Sequence, residues 1–138
     1  MDLIRTERGW HAHYICGSRC MWHRNTLLEY EDIKLVVSSV GNMIDYHAPG
    51  FPNKITLNTI GCDRHFETMV FHTDRTKFND ADVTKQISVE SNCSIKEGWK
   101  ELEAEAMHEA VVKEVSEGLL AGNKYIPYRG QEENNGVE

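Results

Sequence analysis

Residues 21–40 read MWHRNTLLEYEDIKLVVSSV, and this stretch decides the fold. Side chains from Met21 to Tyr30 alternate acceptably for a strand, and the segment from Ile33 to Val40 is rich in β-branched residues. Glu31 and Asp32 lie between the two segments and predict a tight turn. The stretch therefore predicts an antiparallel hairpin.

The chain after this hairpin predicts more strands. The segment from Gly41 to Asn53 contains two glycines and two prolines, which indicates a long irregular connection. A short strand is predicted over Ile55–Leu57, and alternation predicts longer strands over Phe66–Thr73 and Val83–Val89. The expected sheet therefore has four or five antiparallel strands.

A long C-terminal helix is the most secure prediction. Its apolar stripe follows helical spacing and consists of Ala104, Met107, His108, Val111, Val112, Val115 and Leu119. Ser94 and Glu97 fit a capping box, which predicts that the helix begins between them, and Gly118 or Gly122 is expected to end it. His108 lies on the stripe, so we expect a core histidine with satisfied hydrogen bonds and not a catalytic base.

The side of the helix opposite the stripe is acidic. Glutamate largely fills it, at Glu101, Glu105, Glu109, Glu114 and Glu117. Because this side is expected to face water, replacing Glu105 by lysine is predicted to change stability by under about 0.5 kcal/mol.

These elements define an α+β class, an antiparallel sheet of four or five strands with one long C-terminal helix. We expect one domain over residues 1–128 and a disordered acidic tail over 129–138. No stretch approaches the roughly 18 apolar residues of a membrane span, and the N-terminus does not resemble a signal peptide. A cytoplasmic location with reduced cysteines follows as the expectation. One helix covers one sheet face, so a homo-oligomer is predicted to cover the other.

The net charge of −7 is unevenly distributed. Residues 1–96 carry 11 basic and 12 acidic side chains, whereas residues 97–138 carry 4 and 10. Extended nucleic acid needs clustered positive charge, so it is a disfavoured partner. A small anionic ligand held by a few arginines remains compatible with this distribution.

One cluster suggests metal or hydrolytic chemistry. His11 and His13 would share a face on a strand, and Cys16, Cys20 and His23 follow closely, as a zinc site requires. The Cys-x-x-x-Cys spacing is looser than a usual zinc knuckle, and no second close pair follows. The alternative interpretation is a polar segment with ordinary buried thiols.

The strand from Trp22 to Thr26 suggests a ligand site. Trp22 could stack on a base, Arg24 could hold a phosphate, and Asn25 could hydrogen-bond a base edge. The predicted ligand-binding residues are Trp22, His23, Arg24, Asn25, Thr26, Ser38, Ser39, Arg64, His65 and Phe66. Against this stands the plainer interpretation, a half-exposed strand with a solvated polar side.

Four sequence blocks resemble a group of small phage and prophage proteins. They read RNTL at 24–27, VSSVG at 37–41, HFETMVF at 65–71 and AMHEAVV at 106–112. The size and the sheet-plus-helix outline are similar to the Thoeris anti-defence proteins, which sequester cyclic ADP-ribose signals. The resemblance implies a phage-encoded anti-defence protein in the host cytoplasm, an oligomer that binds a nucleotide without cleaving it. We expect no catalytic residue, no bound metal and no cofactor.

Two other classes stay open at this stage. One is a small hydrolase or metal-dependent enzyme that uses the region of His11, His13 and His23. The other is a protein–protein inhibitor of a host defence factor, whose acidic helix and tail would mimic nucleic-acid charge.

Overall fold

A computed structural model describes residues 2–8, 20–60, 64–73, 85–96 and 100–126 of the 138-residue chain. In chain order its elements are β1 (Ile4–Glu7), β2 (Cys20–Tyr30), β3 (Ile33–Ile44), β4 (Leu57–Asn58), β5 (Phe66–His72), β6 (Gln86–Ile87), β7 (Ser94–Ile95) and α1 (Glu101–Leu120). The α+β class is confirmed. The described strands number seven, but three of them have only two residues each.

The hairpin predicted from residues 21–40 is confirmed as β2 and β3. The two strands pair antiparallel from Tyr30 opposite Ile33 to Cys20 opposite Met43. The predicted end of the second strand at Val40 was wrong, because β3 continues to Ile44. Gly41 does not end the strand. Glycine is needed at this position, because a Cβ would lie 2.1 Å from Cδ1 of Phe66.

The other strands extend this hairpin on both sides. β1 pairs with β2 at one edge, and β5 pairs with β3 on the other side, all antiparallel. β6 and β7 then pair with successive parts of β5. The predicted strand Ile55–Leu57 overlaps β4 at Leu57. Of the predicted strand Val83–Val89 the structure describes residues 85–89, and within these Gln86–Ile87 form a ladder.

Helix α1 lies against one face of the sheet. Its buried residues are Ala104, Met107, His108, Val111, Val112, Val115 and Leu119, which confirms the predicted stripe in full. The predicted start was wrong: Ser94–Ile95 form β7, and the helix begins at Glu101 after Lys100. The backbone of this segment pairs with the edge of β5, and this pairing outweighs the local capping pattern. Gly122, with φ of +97°, follows the helix end.

The second sheet face is buried within the single chain. Leu27, Val36, Val40 and Phe71 alternate with the helix-facing positions and are at most 2% exposed. The apolar face that suggested self-association is therefore not open, and the homo-oligomer stays a prediction that needs another surface. No helix in the described part of the chain has the length and hydrophobicity needed to cross a membrane. The predicted tail, 129–138, lies outside the described residues.

Candidate functional site

The residues predicted to bind a ligand are divided between the two faces of the sheet. Trp22, Arg24 and Thr26 point towards α1, as their contacts with that helix show. Because side chains alternate along a strand, His23 and Asn25 point to the opposite face. No single pocket therefore contains the whole predicted set.

The two predicted aromatic residues are packed into the interior. Trp22 is 7% exposed and Phe66 is fully buried, with their rings in an edge-to-face contact at 5.5 Å. Ala104 and Met107 of the helix pack against the same pair. The indole Nε1 of Trp22 donates a 2.9 Å hydrogen bond to Glu105. Neither ring presents a face to solvent on which a base could stack.

Arg24 lies at the centre of an ion-pair network. Its guanidinium donates to Glu7 at 2.6 Å, to Glu105 at 2.7 Å and to Glu109 at 2.9 Å. Arg5 bridges Glu7 and Glu109 from the neighbouring strand β1. The network joins β1, β2 and α1 and is one reason why the short edge strand stays in place.

Two carboxylates of this network, those of Glu109 and Glu7, have lowered pKa values and are held ionised. Hydrogen bonding from Arg5 lowers the pKa of Glu109 to about 2. Burial would raise the pKa of Glu7, but hydrogen bonds from Arg24 and Arg5 outweigh it and the pKa falls. Glu105 accepts hydrogen bonds from Trp22 and Arg24, so the expectation that it merely faces water was wrong. Part of the acidity of the helix is neutralised within the protein, which removes support from an inhibitor that mimics nucleic acid.

A buried hydrogen-bond chain is centred on His108. Its Nε2 lies 2.8 Å from Oγ1 of Thr26 and its Nδ1 lies 2.7 Å from Oγ of Ser39. Thr26 donates onward to Glu7, and Ser39 is 2.6 Å from the hydroxyl of Thr68. Because Glu7 can only accept, Thr26 must accept from Nε2–H. Burial lowers the pKa of His108 to about 4, so the ring is neutral at pH 7 and Nδ1 accepts from Ser39. This assigns a neutral histidine protonated on Nε2.

The same cluster resembles a serine–histidine pair but is closed to substrates. Ser39 and His108 are both 0% exposed. Burial, and after it the charge of Arg24, lowers the pKa of His108 to about 4. The prediction of a satisfied core histidine is confirmed, and the cluster acts as a structural link between helix and sheet.

The predicted residues on the opposite face form a buried polar strip. Asn25 lies opposite Ser38 in the hairpin register, and the two are 2% and 0% exposed. Neither amide atom of Asn25 has a hydrogen-bond partner among the described residues. A buried amide without partners costs free energy, so a bound water or ligand atom would stabilise this position.

A cleft at the edge of β5 is lined by one of the predicted ligand-binding residues, Arg64. It has a volume of about 350 Å³ and lies beside the segment that joins β6 to β7. Its walls include Arg64, Glu67, Met69, Ser88, Cys93 and Ser94. Arg64 and Glu67 form an ion pair in this wall. Burial, with the charge of Glu114 adding to it, raises the pKa of the Cys93 thiol, which makes it a weak nucleophile.

Glu114 of the helix fixes the loop that borders this cleft. One carboxylate oxygen accepts from the backbone N–H of Glu90 at 2.8 Å. The other accepts from the backbone N–H of Ser91 at 2.7 Å and from its hydroxyl at 2.6 Å. Burial raises the pKa of Glu114, but these hydrogen bonds outweigh it and lower the pKa overall. Sequence reasoning missed this residue, because its partners lie more than twenty positions away.

The proposed metal cluster falls mostly outside the described residues. His11, His13 and Cys16 are not described, whereas Cys20 is buried and, like Cys93, is not part of a disulfide. Within the described ranges, no group of three or more His, Cys, Asp or Glu side chains is placed to hold a metal ion.

Comparison with known proteins finds no matching family model, no matching curated protein and no matching solved structure.

Proposed function

We propose that this protein binds a small nucleotide-like ligand in the β5 cleft and does not cleave it. The observation that carries the proposal is a cleft of about 350 Å³ with the predicted anion-binding residue Arg64 in its wall. Ligand pockets in proteins have volumes of about 300–1,000 Å³, so the cleft is large enough for a small ligand.

The side chains of the cleft suit such a ligand. The guanidinium of Arg64 can bind a phosphate oxygen, and the hydroxyls of Ser88 and Ser94 can donate to ribose or phosphate. Met69 and Val89 provide apolar surface for a base. The raised pKa of Cys93 supports binding over covalent chemistry at this position.

The resemblance to phage anti-defence proteins supports a more specific role. In this proposal the ligand is a cyclic-nucleotide-type immune signal of the host, and the phage-encoded protein sequesters it in the cytoplasm. A homo-oligomer belongs to the same proposal.

The test is a thermal-shift screen with cyclic nucleotides, followed by calorimetry on any ligand that raises the melting temperature. A ligand at one hundred times its dissociation constant should stabilise the protein by about 2.7 kcal/mol. The variant Ser88→Trp should block the cleft, because Ser88 is an exposed residue of its wall. Asn53→Trp, at an exposed position outside the cleft, is the matched control.

Recovery of the ligand after heat denaturation separates binding from hydrolysis. An intact ligand supports sequestration, whereas a cleaved product would support the hydrolase alternative. If no nucleotide shifts the melting temperature, or if both tryptophan variants bind equally well, the cleft is not the site.

A further inference from the structure

Among its described lining residues, the β5 cleft contains one cation and one anion. These are Arg64 and Glu67, which lie three positions apart at the start of β5 and form an ion pair with each other. Their side chains are 30% and 9% exposed respectively. The described part of the lining is therefore neutral, although it carries the guanidinium that an anionic ligand would contact.

Glu67 cannot easily leave this arginine. A carboxylate that is mostly removed from water loses stabilisation when its cationic partner is taken away. Glu67 is only 9% exposed and lies in the cleft wall beside the guanidinium, so a ligand phosphate that contacts Arg64 shares the guanidinium with Glu67. Such sharing is feasible, because a guanidinium has five N–H donors, and Arg24 of this protein already binds three carboxylates.

The charge of the ligand then decides how well it binds. A phosphodiester brings one negative charge next to Glu67, whereas a phosphomonoester brings about 1.5 to 2 at neutral pH. The net charge of −7 on the whole chain acts in the same direction on more highly charged ligands.

We infer that Glu67 is a specificity-determining residue of this cleft, which selects nucleotides with a phosphodiester, as in a cyclic nucleotide, over nucleotides with a terminal phosphomonoester. This inference rests on the proposed function, since it assumes that the cleft binds nucleotides.

The experiment compares cyclic adenosine monophosphate, adenosine monophosphate and adenosine by calorimetry at low ionic strength. Wild-type protein should bind the cyclic nucleotide roughly tenfold more tightly than the monophosphate, a difference of about 1.4 kcal/mol. In Glu67→Gln the affinity for the monophosphate should rise until the two nucleotides differ by less than about twofold. Glu90→Gln, an equal charge change at an exposed residue outside the cleft wall, should keep the wild-type ratio.

Each outcome has a distinct meaning. Equal or tighter binding of the monophosphate by wild-type protein, or an unchanged ratio in a folded Glu67→Gln, would overturn the inference and leave the proposed function standing. Loss of discrimination in Glu90→Gln as well would overturn it too, because the effect would then be one of net charge. Failure of all three probes to bind overturns the inference, and the proposed function falls with it if the screen of cyclic nucleotides also finds no ligand.

Discussion

Protonation of His108 should weaken the attachment of the helix to the sheet. The imidazole is fully buried, accepts from Ser39 at Nδ1 and donates to Thr26 through Nε2. A second proton on Nδ1 would require the hydroxyl of Ser39 to reorient, and would place a charge in the interior near Arg24. Acidification is therefore the perturbation that tests the assignment of this histidine as neutral.

The size of the effect follows from two pKa values. Burial lowers the pKa of His108 from 6.5 to about 4 in the folded protein. The unfolded chain binds the proton below about pH 6.5 but the folded protein does so only below about pH 4, so stability falls as the pH drops through this window. Between pH 7 and about pH 4.5 this group alone should remove about 2.5 kcal/mol of folding free energy.

Urea unfolding at the two pH values, followed by circular dichroism, measures this loss. Other titrating groups also contribute, so the informative quantity is the difference between wild type and His108→Gln. A glutamine can donate its amide N–H towards Thr26 and accept from Ser39 without titrating. We expect His108→Gln to lose about 2–3 kcal/mol less than wild type on acidification.

His47→Gln is the matched control, because His47 lies in an exposed loop and should leave the acid sensitivity of the wild type intact. If wild type and His108→Gln lose equal stability between the two pH values, protonation of His108 does not cause the acid sensitivity. The assignment of a neutral, fully hydrogen-bonded histidine is then refuted.

Three further predictions follow from single contacts. Glu105→Lys should destabilise the protein by about 1–2 kcal/mol in urea melts, because it removes hydrogen bonds from Trp22 and Arg24 at a partly exposed site. The control Glu117→Lys should stay within about 0.5 kcal/mol of wild type. Equal stability of the two variants would contradict the ion-pair network. Gly41→Ala should cost more than about 2 kcal/mol, since the new Cβ meets the ring of Phe66, and a melt within about 0.5 kcal/mol of wild type would disprove that contact. Glu114→Gln should speed amide hydrogen exchange at Glu90 and Ser91 while Glu117→Gln does not, and unchanged exchange would show that the loop needs no carboxylate.

Periodicity was the reliable guide to this fold. The helical stripe was predicted completely, because burial against a sheet imposes one spacing on the apolar residues. The hairpin was predicted for the same reason. Local signals were less reliable: the capping box at Ser94 and Glu97 was overruled by pairing with β5, and Gly41 indicated a loop where a close ring contact requires glycine.

The candidate site was only partly predictable. Alternation correctly separated Arg24 from Asn25, but it could not say which face the helix covers, since both faces mix polar and apolar residues. The carboxylates that bind Arg24 lie up to 85 positions away, so local sequence reasoning treated the arginine as open to a ligand. Arg64 was predicted to contact a ligand from residue type alone, and its buried partner Glu67 was not anticipated.

The His108 cluster also determines which packing of helix on sheet is correct. Apolar residues repeat along the stripe, so sliding the helix by one turn would still bury a hydrophobic face. Such a slide would bring Ala104 or Val112 over Thr26 and Ser39, and two buried hydroxyls would lose their hydrogen bonds to His108. The imidazole of His108 thus favours the native alignment over alignments shifted by one turn, which differ little from it in hydrophobic burial. A chain with Thr26, Ser39, Thr68 and His108 all replaced by apolar residues could match the native stability and yet populate several alignments.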